Sequence, residues 1–212
     1  MTPKQQYYEN TAGTIIKNMK KRRMEGYYCP TAAEAADLAM SLIQSGSTVG
    51  TGGSMTLEEC GIMERLRARE DITFLDRAAG KTPEEVTNLL HQMLLGDVLL
   101  MSTNAITLDG ELVNIDGSGN RLAALCYGPE KVIVVAGINK IAPDIPSAYR
   151  RVKDIAAPPN CVRLEKNTPC SHTGRCGECL GDDCICSQIV ITRRSHAAGR
   201  ICVILVGEEL GY

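Results

Sequence analysis

Hydrophobic residues in the first third of the chain recur at helical spacing. Residues 3–25 predict an amphipathic helix, with its apolar residues on one face, that caps the domain. A second helix is predicted to begin at Thr31, which has capping-box spacing with Glu34, and to end at Gly46. The period then changes, and residues 47–69 predict a short strand, a glycine turn and a third helix.

Apolar runs separated by helical segments dominate the middle of the chain. The runs DITFLD, DVLLM and KVIVVAG predict strands, and the last is almost wholly apolar, as central parallel strands usually are. A helix capped by Thr82 follows the first run, and a later helix is predicted to end before Pro158 and Pro159. This alternation indicates the α/β fold class, with a mainly parallel sheet flanked by helices.

Two hairpins are predicted outside the parallel sheet. The segment DGELVNIDGSG has turn residues at Asp109 and Gly110. Near the end of the chain, the alternating runs SQIVITRR and RICVILVGEEL flank SHAAG and predict a terminal β-hairpin. The cysteine-rich residues 168–187 form an insertion between the last helix and this hairpin, within a single domain of residues 1–212.

Composition and charge limit the classes of function. With 212 residues and 44% hydrophobic side chains, the chain is long enough to bury a core. Its formal net charge of -2 gives no broad attraction to nucleic acid or anionic lipid. No segment approaches the roughly 18 apolar residues that span a bilayer, and the amino terminus lacks the apolar region of a signal peptide. We therefore expect a cytoplasmic protein without nucleic-acid or membrane partners.

Half of the ten cysteines lie in one short segment of the sequence. In the cytosol, such a cluster is more typical of a metal site than of disulfides. Cys176 and Cys179 have the spacing that lets two thiolates reach one ion, and four thiolates would hold either zinc or an iron-sulfur cluster. Unliganded core cysteines are the remaining interpretation, which fits a polar, glycine-rich loop poorly. The segment contains Cys170, His172, Cys176, Cys179, Cys184 and Cys186.

The glycine turn is the first candidate ligand site. Gly52 and Gly53 permit a tight turn, and Ser54 and the following helix start present donors and a positive dipole end to a phosphate, carboxylate or oxyanion. The glycine spacing matches neither the dinucleotide fingerprint nor the lysine-containing phosphate loop. A strand-helix turn without a ligand is the alternative interpretation.

Polar residues beyond the strand DVLLM form a second candidate ligand site. Ligands of open α/β sheets bind at the carboxyl ends of strands, so polar side chains there are candidates for substrate recognition. Asp116 and Asn104 are the candidate catalytic residues, with Asp116 as a general base. Asn120 and Arg121, together with Asn104, are candidates for holding an anion because they flank a predicted helix start.

Several long motifs carry a family resemblance: GTGGSMTLEECGI, NAITLDGELVNIDGSGNRLAALCYGPEKVIVVAGINKI, RRVKDIAAPPNCVRL, TPCSHTGRCGECL and VILVGEELGY. Nearly the whole chain resembles the cysteine-bearing branch of the lactate utilization protein family, the LUD domain or domain of unknown function 162. The resemblance implies a fold like that of glucosamine-phosphate isomerase, ribose-phosphate isomerase and CoA-transferases. It also implies a ligand set, with Cys184 as an extra thiol: Cys170, Cys176, Cys179 and Cys186.

Two hypotheses of function follow from these patterns. The first is a cytosolic iron-sulfur protein of organic-acid metabolism, with a [4Fe-4S] cluster favoured and a small anionic organic acid or phosphate-bearing ligand at the glycine loop. Such a cluster would either relay electrons, with iron-sulfur or oxidoreductase subunits as partners, or act as the Lewis acid of a hydratase or lyase. The second is an isomerase-like or CoA-transferase-like enzyme or binding module with a purely structural zinc. Both hypotheses are compatible with an oligomer.

Overall fold

A six-stranded sheet, parallel at every strand pair, forms the centre of the fold in the computed structural model, which describes residues 1–212. The strand order is β1-β10-β7-β4-β2-β3. The predicted α/β class with a mainly parallel sheet is therefore confirmed. The strands are β1 (Glu25–Cys29), β2 (Thr48–Thr51), β3 (Thr73–Leu75), β4 (Val98–Met101), β7 (Lys131–Gly137) and β10 (Ile201–Val206).

Helices cover both faces of this sheet. Alternate residues of β7 face opposite cores: Val134 packs on one side and Ile133 on the other. Each fully buried aliphatic side chain contributes about 1.5–3 kcal/mol. One core includes side chains of α1, α5 and α6, and the other includes side chains of α2, α3 and α4. The helices are α1 (Pro3–Lys21), α2 (Ala32–Ser41), α3 (Met55–Glu59), α4 (Ile62–Ala68), α5 (Pro83–Leu95), α6 (Asn120–Cys126), α7 (Ile145–Arg151), α8 (Ala157–Arg163) and α9 (Pro169–Thr173).

A smaller four-stranded sheet packs against α7. Its strands are β8 (Ile141–Ala142), β5 (Ala105–Thr107), β6 (Leu112–Asp116) and β9 (Gln188–Thr192), in that order. The predicted hairpin with its turn at Asp109 and Gly110 is confirmed as the antiparallel pair β5–β6. Apolar residues of β5, β6 and α7 form a third, small core beneath this sheet. None of the helices is both long and apolar enough to cross a bilayer.

The predicted terminal β-hairpin is wrong. β9 pairs antiparallel with β6 at the edge of the small sheet, whereas β10 lies parallel between β1 and β7. All six residues of β10 are buried, so this strand needs packing on both faces, which a central position in the large sheet supplies. Three of the five residues of β9 are exposed, which suits an edge strand. The cysteine segment therefore connects α8 to β9.

Several predicted helix bounds also differ from the structure. The second helix ends at Ser41 rather than at Gly46, and the third is divided into α3 and α4 at Gly61, which has a left-handed backbone (φ 69°). The first helix ends at Lys21 rather than near residue 25, because Arg23 adopts a left-handed backbone (φ 58°) and the chain turns into β1. The helix predicted to end before Pro158 instead continues from α7 through a π-helical turn, Val152–Ala156, into α8. The π turn shifts the hydrogen-bond register, so that both prolines stand in the first turn of α8, where missing N–H donors cost little.

The turn of the β5–β6 hairpin presses against α1. Gly110 has a φ of +83°, and a Cβ at this position would lie 2.7 Å from Met19 Cγ and 3.2 Å from Met19 N. Gly46 has nearly the same backbone, with a φ of +85°, but a Cβ there would meet nothing within 4 Å. Substitutions at these two glycines therefore distinguish the cost of backbone strain alone from the added cost of a packing clash.

We expect Gly46→Ala to lower the free energy of unfolding by about 1–2 kcal/mol, because of its left-handed backbone alone. Gly110→Ala should lower it by about 1 kcal/mol more, since α1 has to move away from the added methyl group. Urea unfolding of both variants and the wild type measures the difference. Equal losses would show that α1 does not constrain this turn.

Candidate functional site

A cavity of about 310 Å³ opens where several strands of the large sheet end. This is the edge at which open α/β sheets bind ligands. The helical segment containing the π turn forms another wall through Val152, Ala156 and Asn160. The lining residues that come from the carboxyl ends of β2, β3, β4 and β7 include Gly53, Arg77, Ser102 and Lys140.

The cavity lining is strongly basic. Its basic side chains come from Arg77, Arg121, Lys140 and Arg163, and Asp116 supplies its single carboxylate side chain. Because the positive charges outnumber the negative charge, the cavity should attract a small anion. Arg77 is exposed and its guanidinium donates no hydrogen bond within the protein, so its donors are available to a ligand.

Arg121, by contrast, is held by contacts within the protein. Its Nη1 donates to Ser102 O and Asn114 Oδ1, its Nη2 donates to Asn104 Oδ1 and Ile115 O, and its Nε lies 3.5 Å from Asp116 Oδ2. A guanidinium has five N–H donors; the four on Nη1 and Nη2 are hydrogen-bonded, and Nε makes only the ion pair with Asp116. Arg121 therefore offers a ligand its positive charge, while its hydrogen bonds organise the base of the cavity.

The glycine turn makes room for two arginines. A Cβ on Gly52 would lie 2.7 Å from Arg121 Cδ, and a Cβ on Gly53 would lie 2.5 Å from Arg77 Nη2. Neither glycine has a positive φ, so close approach rather than an unusual backbone requires them. Ser54 caps the short helix α3, where its Oγ accepts a hydrogen bond from Leu57 N (3.3 Å).

The predicted polar residues gather at this cavity. Asn104 fixes the small sheet, since its Oδ1 accepts hydrogen bonds from Ile115 N (3.0 Å) and Arg121 Nη2 (3.1 Å). Asn120 begins α6, and its Oδ1 accepts a hydrogen bond from Ser118 Oγ (2.7 Å). Gly52 lies behind Arg121 rather than in the lining. The predicted ligand-site residues that line the cavity are Gly53, Ser54, Asn104, Asp116, Asn120 and Arg121.

Asp116 carries an unused acceptor. Its Oδ2 is buried and accepts no hydrogen bond, although Arg121 Nε lies 3.5 Å away. A buried oxygen without a donor destabilises the fold unless a ligand or another group supplies one. Asp116 also lines the cavity, so its carboxylate can accept a hydrogen bond from a hydroxyl group on a molecule there.

Lys140 is a site residue that the sequence reasoning missed. It follows β7 in a short 3₁₀-helix, is only 4% exposed, and donates a hydrogen bond from Nζ to Ser102 Oγ at 3.1 Å. Burial lowers the pKa of Lys140 to about 7, and the positive charges of Arg151 and Arg121 contribute to the shift. The available signal was a single lysine inside the apolar stretch AGINKIA, directly after a predicted buried strand.

The cysteine segment forms a wall of the same cavity. Cys186 lines the cavity, and the next residue, Ser187, donates a backbone hydrogen bond to Asp116 O (3.0 Å). An ion pair joins Glu178 in the loop to Lys153 in the π turn. The thiol segment and the candidate ligand site are therefore neighbours.

Cys161 of α8 joins the thiols of this segment. Burial raises the pKa of Cys161 to about 11, and a hydrogen bond with the Cys170 thiol adds to the rise. Burial likewise raises the pKa of Cys186 to about 12, with contributions from the nearby Cys184 and Cys161 thiols. No three His, Cys, Asp or Glu side chains converge around one point as metal ligands. His172 is hydrogen-bonded through Nε2 to Asn167 Oδ1 (2.7 Å).

One solved structure resembles this fold over nearly the whole chain, and others resemble about half of it. A crystal structure of a DUF162 family protein from Deinococcus radiodurans has 10% identity and a TM-score of 0.53, and the match covers 94% of this chain and 97% of that chain. Partial likenesses include eIF2B delta from Chaetomium thermophilum, with 20% identity, a TM-score of 0.37 and coverage of 57% and 54%. Ribose 5-phosphate isomerase A from Neisseria gonorrhoeae has 16% identity, a TM-score of 0.36 and coverage of 54% of each chain.

No curated protein matches the chain. The family model of the LUD domain, however, matches residues 13–206, which include both sheets, the cavity and the cysteine segment. The resemblance expected from the sequence motifs is confirmed by this match and by the DUF162 structure. The chain therefore belongs to the LUD domain family, a domain related to lactate utilization.

Proposed function

We propose that this protein binds a small organic anion in the basic cavity and acts in organic-acid metabolism. The observation that carries the proposal is a cavity of about 310 Å³ lined by three arginines and a lysine but only one carboxylate side chain. This volume lies at the lower end of the range typical of small-molecule sites, about 300–1,000 Å³. A carboxylate or a phosphate group would complement the excess positive charge.

Arg77 and Asp116 provide complementary contacts for such a ligand. Arg77 has free donors that can form charge-assisted hydrogen bonds with a carboxylate or phosphate. Asp116 lines the same cavity, and its carboxylate, which has an oxygen without a donor, can accept a hydrogen bond from a ligand hydroxyl. The pair therefore favours an organic acid that also carries a hydroxyl group. Asp116 is the proposed general base for such a group, with Asn104 positioning the strand beside it.

We further propose that the cysteine segment holds an iron-sulfur cluster through Cys170, Cys176, Cys179 and Cys186. The chemistry of the donor set supports this proposal, since Cys161 and Cys184 add two more thiols to the same region. Cysteine binds a metal as the thiolate, so a metal would compete with protons for these sulfurs. Because the side chains do not converge as placed, binding requires the loop to draw its sulfurs together.

Such a centre would supply electron transfer or a Lewis acid beside the ligand cavity. The position of Cys186 in the cavity lining supports this arrangement. A structural zinc held by the same thiols is the second candidate. It is favoured by the place of the segment between α8 and β9, where it would tie the small sheet to the helical wall. A cytoplasmic location and oxidoreductase partner subunits remain predictions.

Arg77→Gln should weaken the binding of an organic anion by roughly tenfold, because it removes a charge-assisted contact. Titration calorimetry with lactate, pyruvate and inorganic phosphate measures this loss. Gly53→Ala should have a similar effect, since its Cβ would displace the Arg77 guanidinium. Arg194→Gln is the matched control, because Arg194 is exposed and lies outside the cavity. Absence of binding to all three probes by the wild type would refute the anion site.

Protein purified without oxygen should be brown and contain iron and sulfide in matching amounts. Cys176→Ser should lose most of both, because it removes a proposed ligand, whereas Cys126→Ser should keep them, since Cys126 is exposed and lies outside the segment. Metal and sulfide analysis with an absorption spectrum measures the outcome. Colourless protein with stoichiometric zinc, together with a lower melting temperature for Cys176→Ser, would refute the iron-sulfur cluster and support the structural zinc.

A further inference from the structure

We propose that Lys140 is a nucleophilic amine that forms an imine with a carbonyl-bearing organic anion, such as a 2-oxo acid, in the cavity. The inference rests on the proposed function, because it takes the same cavity as the binding site. It adds the substrate class and a covalent role for a residue that the anion-binding proposal does not need.

The position of Lys140 is the first support. Its side chain is buried, lines the cavity, and is held by the hydrogen bond from Nζ to Ser102 Oγ (3.1 Å). Ser102 Oγ in turn donates to Thr103 O (3.3 Å), so the hydroxyl accepts from the amine rather than donating to it. The amine is therefore fixed at the carboxyl end of β7, beside the end of β4.

The charges around Lys140 are the second support. No carboxylate forms an ion pair with its amine, and the facing cations are Arg121 and Arg151. Glu59 is the facing anion, and its Oε2 accepts a hydrogen bond from Gly211 N (2.7 Å). Burial and the two cations lower the pKa of Lys140 to about 7, so much of the amine is neutral at physiological pH. Desolvation and a neighbouring cation are the usual means of activating a lysine nucleophile.

The energetic cost of this lysine also calls for a function. A buried amine without a carboxylate partner destabilises a folded protein, whereas an apolar side chain of similar length would fill the same space without that cost. Ser102 supplies only a neutral hydrogen bond in compensation. A reaction of this amine with a molecule in the cavity would explain why a lysine stands at this position.

The cavity also provides for the rest of the proposed substrate. The cations of Arg77 and Arg121 line the same space as Lys140 and attract the carboxylate of a 2-oxo acid. The lone pair of the neutral amine attacks the carbonyl carbon, the C=O π bond breaks, and one proton passes from the nitrogen to the oxygen to give a carbinolamine. Loss of water from the carbinolamine gives the imine. The step consumes one amine and one carbonyl and releases one water, and it needs no oxidant or reductant.

Reductive trapping tests the proposal on the unaltered chain. The wild-type protein is incubated at pH 7 with pyruvate and cyanoborohydride, which reduces an imine to a stable secondary amine, and every lysine is examined by peptide mapping. Lys140 should carry roughly ten times or more as much adduct as any exposed lysine. Exposed lysines, with a pKa near 10.4, are almost wholly protonated at this pH and therefore react slowly. Pyruvamide, a neutral analogue of similar size, should give roughly tenfold less adduct, because it lacks the carboxylate.

Calorimetry with pyruvate on the same sample separates the two proposals. Binding without an adduct on Lys140 would overturn the imine and leave the anion site intact. If pyruvate does not bind and Lys140 carries no adduct, both proposals are overturned. An adduct spread evenly over the lysines would also overturn the imine, since it would show that Lys140 has no special reactivity. Lys140→Arg should retain pyruvate binding to within a few-fold and lose the specific adduct, and the mapping of the wild type does not depend on how this variant folds.

Discussion

The guanidinium of Arg121 is the contact on which the site and much of the fold depend. It joins the end of β4, through Ser102 O, to β6, through Asn114 and Ile115, and so connects the two sheets. A buried charge is tolerated only when it is paired and hydrogen-bonded, and here four donors are hydrogen-bonded while Nε forms an ion pair with Asp116. The close approach also requires Gly52, because any Cβ there would strike the arginine side chain.

The same cation influences the chemistry of its neighbours. Arg121 and Arg151 contribute to the lowered pKa of Lys140, and Arg121 lies beside the unsatisfied oxygen of Asp116. One buried side chain thus sets the geometry of the cavity base and part of its electrostatics. The cysteine segment adjoins the base of the cavity, since the backbone amide of Ser187 donates a hydrogen bond to the carbonyl of Asp116.

Much of the architecture could be predicted from the sequence. The alternation of apolar strands with helices specifies a parallel sheet, and the rule for ligand sites in such sheets brings Gly53, Asn104, Asp116, Asn120 and Arg121 to one edge. The helix N-caps at Thr31 and Thr82 could also be predicted from the sequence, because such a cap depends on residues only three positions apart.

The features that the sequence did not predict share a physical cause: each depends on contacts between distant parts of the chain. Alternation identified β9 and β10 as strands but gave no information on their partners, which lie in different sheets. Cys161 joins the thiols only because α8 packs beside α9. The unusual state of Lys140 comes from burial and from two arginines remote in sequence, neither of which a local pattern reveals.

The π turn at Val152–Ala156 has a consequence for how the site can diversify. A π turn is in effect a helix with one additional residue, and each residue of an α-helix turns the chain by roughly 100°. Deleting one position here would rotate α8 and carry Asn160 and Arg163 away from the cavity. A single-codon deletion could thereby reshape the ligand preference of a descendant while the sheet, the glycine turn and Arg121 stay as they are.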